Sequence, residues 1–189
     1  MERTLARVCR EAGATVRCNC RLRDMNVTVQ ADDERVLEVL ASGLPLHQGA
    51  QLAVDVTLRS ALTSAGLPSP NAARVNGAAL ARARRDKERK YRELLEGNRC
   101  HLVVVGVETG GRWSQEAYEF VNSMAAARAR DAPPILCRSA HLAWQRRWMR
   151  MLAVSCGEAF AASLVSSHED AWTGTEGRTP DLADLFAET

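Results

Sequence analysis

Glu38 and Asp55 stand inside two short apolar runs, VLEVL and QLAVDVTL, separated by the Gly- and Pro-bearing stretch ASGLPLHQG. Two carboxylates on neighbouring strands can point to one side. They repel unless a cation lies between them. A hard divalent ion such as Mg²⁺ takes oxygen ligands of this kind. It can polarise a phosphate, lower the pKa of bound water and stabilise a leaving oxygen. A lysine is the natural third member, orienting the attacking water or neutralising charge in the transition state. The stretch that follows the second run offers Lys87 and Lys90. The same two acids also read as charges on edge strands, facing water to discourage aggregation. Spacing alone leaves both readings open.

The elements around these residues follow from periodicity. Leu5, Val8 and Cys9 recur at helical spacing over residues 2–12, and Gly13 stops that helix. TVRCNCRL alternates as a strand, and RDMNVTVQADDE is polar loop. Residues 36–40 and 51–58 read as strands, the second with Leu52, Val54 and Val56 on one face and Ala53, Asp55 and Thr57 on the other. A linker with two prolines and two glycines leads into AALARARRDKERKYRELLEG, one helix by propensity, with Gly97 as its stop. HLVVVGVE, residues 101–108, is a near-continuous Val strand, which predicts a central position covered on both faces. Residues 114–129 form a helix capped by Ser114, in which Phe120 and Met124 pair at i,i+4. After Pro133-Pro134 a last helix spans about 138–164, with Trp144, Trp148, Leu152 and Phe160 as an apolar stripe. The order predicts an α/β fold: a small mixed β-sheet flanked by helices, with a C-terminal helical extension.

The chain has 189 residues, enough for one domain with a core: 46% of residues are apolar and 25% charged. Net charge is +2, unevenly spread: residues 166–189 carry −5 and the first 165 carry +7. The expected division is therefore a basic domain over 1–165 and an acidic, disordered tail over 166–189. A basic body suits an anionic partner or a solvated surface. The six cysteines show no CxxC pair, and Cys18-Asn19-Cys20 is too close for a structural zinc pair, so buried free thiols are expected. No run approaches the ~20 apolar residues of a membrane span. No membrane partner and an intracellular location are the expectation.

Four stretches in order, RDMNV, VLEVLASGLPLHQGAQLAVDVTLRSALT, KERKYRELL and CHLVVVGVETGGRWSQEAYEFVNSMA, resemble the restriction-like endonuclease domain of site-specific non-LTR retrotransposon proteins. That domain belongs to the PD-(D/E)XK nuclease superfamily. The resemblance covers roughly residues 5–165, and it rests on the order of motifs that are each common alone. It implies a restriction-endonuclease-like core, a DNA substrate, Mg²⁺ or Mn²⁺ as cofactor, and a nuclear location if the domain functions. Glu38 takes the place of the first acid, without the proline that normally precedes it, and Asp55 that of the second. Many members carry a lysine two residues after the second acid, where Thr57 stands here. In the retrotransposon branch the lysine lies on the following helix just before a tyrosine, which points to Lys87 with Tyr91, one helical turn apart, and to Lys90 as alternate. Related full-length proteins carry a reverse transcriptase module and a zinc knuckle, neither present in this chain. A truncated copy of the kind dispersed in some protist genomes, a gene-model fragment or a detached domain is the expectation.

Glu108, at the end of the Val strand, is a further candidate metal or positioning residue. Asp32 and Asp33 are alternatives for the first acid or loop residues, and Glu11 is a remoter candidate. Arg82, Arg84, Arg85 and Arg89 are candidate phosphate contacts, which would give salt-sensitive binding to nucleic acid. Trp113, Trp144 and Trp148 read as packing residues, and His47 as a surface residue of the turn between the acid-bearing strands. Two functions remain: a metal-dependent DNA endonuclease, or a catalytically inactive remnant that binds nucleic acid or a protein. The oligomeric state is left open.

Overall fold

The computed structural model describes residues 1–25, 27–63, 65–96 and 99–172, with side chains described as far as residue 165. It divides into two units, 1–156 and 157–189. The first holds a four-stranded mixed sheet: β1 (Thr15–Arg21), β2 (Val36–Ser42), β3 (Gln51–Arg59) and β4 (Cys100–Glu108), side by side in chain order. β1–β2 and β2–β3 are antiparallel; β3–β4 is parallel. A parallel neighbour requires a crossover. The chain makes it through α2 (Ala78–Lys90) and α3 (Arg92–Glu96). The remaining helices are α1 (Glu2–Glu11), α4 (Gln115–Ala129) and α5 (Cys137–Trp172).

Each face of the sheet buries its own apolar cluster. Leu5, Val8 and Cys9 of α1, Val121 and Met124 of α4, and Trp148 and Leu152 of α5 pack on Val39, Leu52, Val54, Val103 and Val105. On the other face Tyr91 and Leu94 cover Leu37, Leu40, Ala53, Leu102 and Val104. Full burial of a side chain such as Leu52 contributes roughly 1.5–3 kcal/mol. α1 is tied to α5 by Glu11, whose carboxylate accepts from the Trp148 indole N–H at 2.9 Å and pairs with Arg147 at 3.0 Å. The 157–189 unit begins with the continuation of α5, and residues 173–189 lie outside the described residues, as does most of the expected acidic tail.

Three expectations change. The Val-rich β4 is an edge strand of the described sheet, not a central one. Its continuous apolar run reports burial on both faces and says nothing about lateral neighbours. Its open side is closed by side chains and a turn instead: Val104 N–H donates to Glu116 Oε1 at 3.0 Å, Gly106 N–H to Ser114 Oγ at 3.3 Å, and Glu108 N–H to the Arg112 carbonyl at 2.8 Å. These contacts block the free backbone row that an edge strand otherwise offers. Second, the basic helix is two helices, because Tyr91 leaves helical geometry at φ −120°, ψ 42°. Its expected stop, Gly97, lies outside the described residues. Third, α5 runs on to Trp172 rather than ending near residue 164.

Candidate active site

Alternation along β3 puts Asp55 on the same face as Ala53, beneath α2 and Tyr91, where its side chain is 1% exposed. A carboxylate this deep needs partners. Tyr91 Oη lies 2.8 Å from Asp55 Oδ1 and 2.9 Å from the Val36 carbonyl oxygen, so one phenol proton is shared between two acceptors. Lys87, one helical turn before Tyr91, forms an ion pair with Asp55 Oδ2. The break at Tyr91 turns its ring inward, while the regular helix before it carries Lys87 over the same strand. Oδ2 has no well-directed hydrogen bond of its own; the ammonium is its ionic partner.

Glu38 reaches the same place from β2. The β2–β3 ladder runs through Ala41↔Leu52, Leu40↔Ala53 and Val39↔Val54 and then stops. The next pair in this register is Glu38 with Asp55. There the strands part, and Val56 N–H donates at 3.0 Å to Glu38 Oε2 instead of to a backbone carbonyl of β2. The carboxylate therefore fills the opening between the strands. Burial, then the Asp55 charge, push the Glu38 carboxyl above the usual range, against the pull of Val56 N–H and Lys87. Burial and Asp55 likewise drive the Tyr91 phenol upward, so Tyr91 stays neutral at ordinary pH and acts as a donor, not a base.

The structure thus brings together Glu38, Asp55, Lys87 and Tyr91. It does not bring in the others. Lys90 is exposed, with Nζ 4.8 Å from the centroid of the Tyr91 ring. Glu108 sits opposite Arg59, four residues beyond Val104, the neighbour of Asp55. That is about 13 Å along the strand at ~3.3 Å per residue, and its ionic partner is Arg112 at 3.6 Å. Asp33 grips Arg35 at 2.6 Å, Asp32 lines the open cavity beside that pair, and Glu11 anchors α5. His47 is exposed and stacks on His101 with ring centroids 3.8 Å apart.

The α2 arginines are mostly committed within the protein. Arg82 donates to the Pro70 carbonyl at 3.0 Å, Arg84 pairs with Glu116 at 2.8 Å, and Arg89 pairs with Asp86. Arg85 is exposed. Arg84 therefore fastens α2 to the group that closes the β4 edge. Two more residues that build the site escape a reading of the sequence. Arg35 binds Glu93 at 2.8 Å and the Lys90 carbonyl, fixing the α2–α3 break where Tyr91 sits. Asn19 holds a left-handed backbone, φ 51°, inside β1 opposite Glu38. Its only sequence signal is a β-disfavouring residue within an alternating run.

A divalent cation suits this donor set in kind. Mg²⁺ is commonly bound by one or two carboxylates, with water and substrate oxygens completing the shell. Glu38 and Asp55 supply two carboxylates, and Asp55 Oδ2 is the buried oxygen without a directed hydrogen bond. Among the described residues no group of three or more His, Cys, Asp or Glu side chains could hold a metal by itself. The protein would supply a partial shell only. No family model matches the chain, and no curated protein matches its sequence. Among the described residues no helix is long and apolar enough to cross a membrane.

Proposed function

We propose that the chain is a divalent-metal-dependent DNA endonuclease domain of the restriction-like, PD-(D/E)XK kind found in non-LTR retrotransposon proteins. The observation that carries this reading is the Lys87–Asp55 ion pair, formed over 32 positions of sequence beside Glu38. A lysine delivered from the crossover helix to the second acid is what the resemblance requires once Thr57 fills the usual lysine position. Glu38 and Asp55 would hold Mg²⁺ or Mn²⁺, which when bound would polarise the scissile phosphate and acidify a water. Lys87 offsets negative charge at phosphorus and orients the attacking water. Tyr91 donates to Asp55 and fixes the carboxylate that Lys87 faces. In the hydrolysis a water oxygen bonds to phosphorus, the bond from phosphorus to the deoxyribose oxygen breaks, and that oxygen gains a proton.

Supercoiled plasmid with Mg²⁺ or Mn²⁺ tests the proposal. Nicking by the wild type, abolished in Asp55→Ala and reduced at least about a hundredfold in Lys87→Ala, is the expected result. Equal nicking by wild type and Asp55→Ala would defeat the assignment. The second reading is an inactive remnant that binds nucleic acid, and the missing proline ahead of Glu38 favours it. Metal-independent, salt-sensitive DNA binding without cleavage would establish that reading. The internal engagement of Arg82, Arg84 and Arg89 leaves it less support than the arginine-rich sequence suggests.

A further inference from the structure

The two edge-ward strands change face at one point. Val39 and Ala41 of β2 belong to the cluster under α1, α4 and α5, and alternation would send Leu37 there too. Leu37 lies in the opposite cluster, with Tyr91. β1 does the same. Val16 packs on the first cluster, yet Cys20, at the same parity, lies in the second. Strand register does not slip between them: Cys18↔Val39 and Cys20↔Leu37 are both kept, and only the pair between, Asn19 with Glu38, is absent. Asn19 has φ 51°. A left-handed residue inside a strand turns the chain about its own axis, and asparagine tolerates that conformation better than any residue except glycine.

Position 38 is therefore a corner on both sides. Toward β3 the ladder ends, and the Glu38 carboxylate takes the Val56 N–H. Toward β1 the facing residue is the one that rotates. Had β1 continued flat, β2 would have stayed in plane with it and with β3. In a regular antiparallel ladder the Val56 N–H would donate to a β2 backbone carbonyl and not to the Glu38 carboxylate. The Asn19 side chain is turned elsewhere: its Nδ2 donates to Glu2 Oε1 at 3.1 Å on the exposed side.

We propose that Asn19 is a positioning residue for Glu38: its left-handed backbone makes the corner that lets β2 leave β3 and puts the Glu38 carboxylate in the gap beside Asp55. The chemical consequence rests on the nuclease reading; the geometric content does not. The backbone is the active feature, so glycine must replace Asn19 and a β-branched residue must not. The Glu2 hydrogen bond is lost in both variants and separates the amide from the backbone.

The test is amide hydrogen exchange at Val56, read by NMR in the metal-free protein, for wild type, Asn19→Gly and Asn19→Val. Asn19→Val exchanges Val56 N–H at least about tenfold faster than wild type, while Val103 and Val105 of the β3–β4 ladder keep their protection. Asn19→Gly stays within about threefold of wild type at Val56. Asn19→Ala, with a milder left-handed penalty, is read the same way should the valine variant not fold. An unchanged Val56 rate in the valine and alanine variants overturns the proposal, and so does a glycine variant as fast as the valine one. Plasmid nicking on the same proteins follows the same order, retained in Asn19→Gly and lost in Asn19→Val. A wild type that does not nick removes the nuclease reading and leaves the exchange result to decide the positioning role.

Discussion

Replacing Lys87 with methionine keeps the aliphatic stem and removes the only cation paired with Asp55 among the described residues. Asp55 is 1% exposed, so water cannot take over, and its Oδ2 has no directed hydrogen bond to fall back on. Removing one partner of a buried ion pair costs about 3–5 kcal/mol. Lys87 itself retains 18% of its side-chain exposure. Some screening reaches the pair, and the lower end of that range, about 3 kcal/mol, is the figure to expect. For a chain of this size 1 kcal/mol moves Tm by about 2–4 °C. Lys87→Met should thus melt about 6–12 °C below wild type.

The same loss should open the site to a divalent ion. With the ammonium gone, Glu38 and Asp55 face each other uncompensated, and a cation that binds the native state stabilises it by about 2.7 kcal/mol at a hundred times its Kd. Mg²⁺ or Mn²⁺ should therefore restore most of the lost Tm in Lys87→Met, and raise the wild-type Tm by less. Lys87→Met/Asp55→Asn, which removes both charges, should melt above Lys87→Met and show no metal response. Thermal unfolding by circular dichroism, with and without metal, reads all three proteins. If Lys87→Met melts with the wild type, or if metal moves neither protein, the pair does not organise a cation site and the reasoning fails.

Tyr91→Phe removes a hydroxyl that serves the buried Asp55 carboxylate and the part-buried Val36 carbonyl; a stability loss of about 1–3 kcal/mol in urea unfolding is expected, with nicking reduced about tenfold because Asp55 is less firmly held. Glu116→Ala leaves Val104 N–H without its acceptor and Arg84 without its closer ionic partner; about 2–4 kcal/mol should be lost, with faster hydrogen exchange along β4. The Arg147 guanidinium, with the Trp148 and Arg7 donors, holds the Glu11 carboxyl at about 2, from 4.5. A depressed carboxylate stabilises the fold above its unfolded value, and that contribution disappears as pH falls from about 4.5 to 2. The shift corresponds to about 3 kcal/mol unscreened, reduced to roughly 1–2 kcal/mol by solvent around the arginines. Glu11→Gln should therefore flatten the acid side of the stability curve in that window and match wild type more closely near pH 2. For Glu38 the sign is opposite: its carboxyl is raised, so metal-dependent nicking should rise with pH through a limb above the ordinary glutamate range.

The elements were legible where local pattern decides them. The four strands, α1, α4 and the Ser114 cap lie where local pattern puts them, because short apolar runs bounded by turn residues mark the strands and an apolar face marks each helix. What failed were inferences about neighbours. A run of valines in β4 reflects cover above and below by α2 and α4; whether another strand lies beside it depends on Glu116 and Ser114, which contact its backbone from a later turn and helix. The continuous helical propensity from Ala78 to Glu96 hides the break at Tyr91. That break exists because the phenol is drawn to Asp55 and Val36, and Arg35 grips the Lys90 carbonyl, all contacts across more than thirty residues. Local propensity is overridden there by tertiary contacts, as the weak scale of helix preferences allows.

The grouping of Glu38, Asp55 and Lys87 was legible for a different reason. Spacing let Glu38 and Asp55 share a side if their strands were adjacent and left the edge-strand reading open; the resemblance paired them, and the antiparallel β2–β3 register sets them opposite each other. Lys87 was pointed to by the resemblance, and the topology explains why it reaches Asp55. A parallel β3–β4 pair forces the chain to cross over the sheet, and a crossover helix long enough to return to the start of β4 must pass above the strand it left. A basic residue on its inward face then lies over β3 wherever an acid points that way. The Lys87–Asp55 contact thus follows from topology: Thr57, two residues after Asp55, leaves its charge unmet from within β3, and the helix above is the element that meets it.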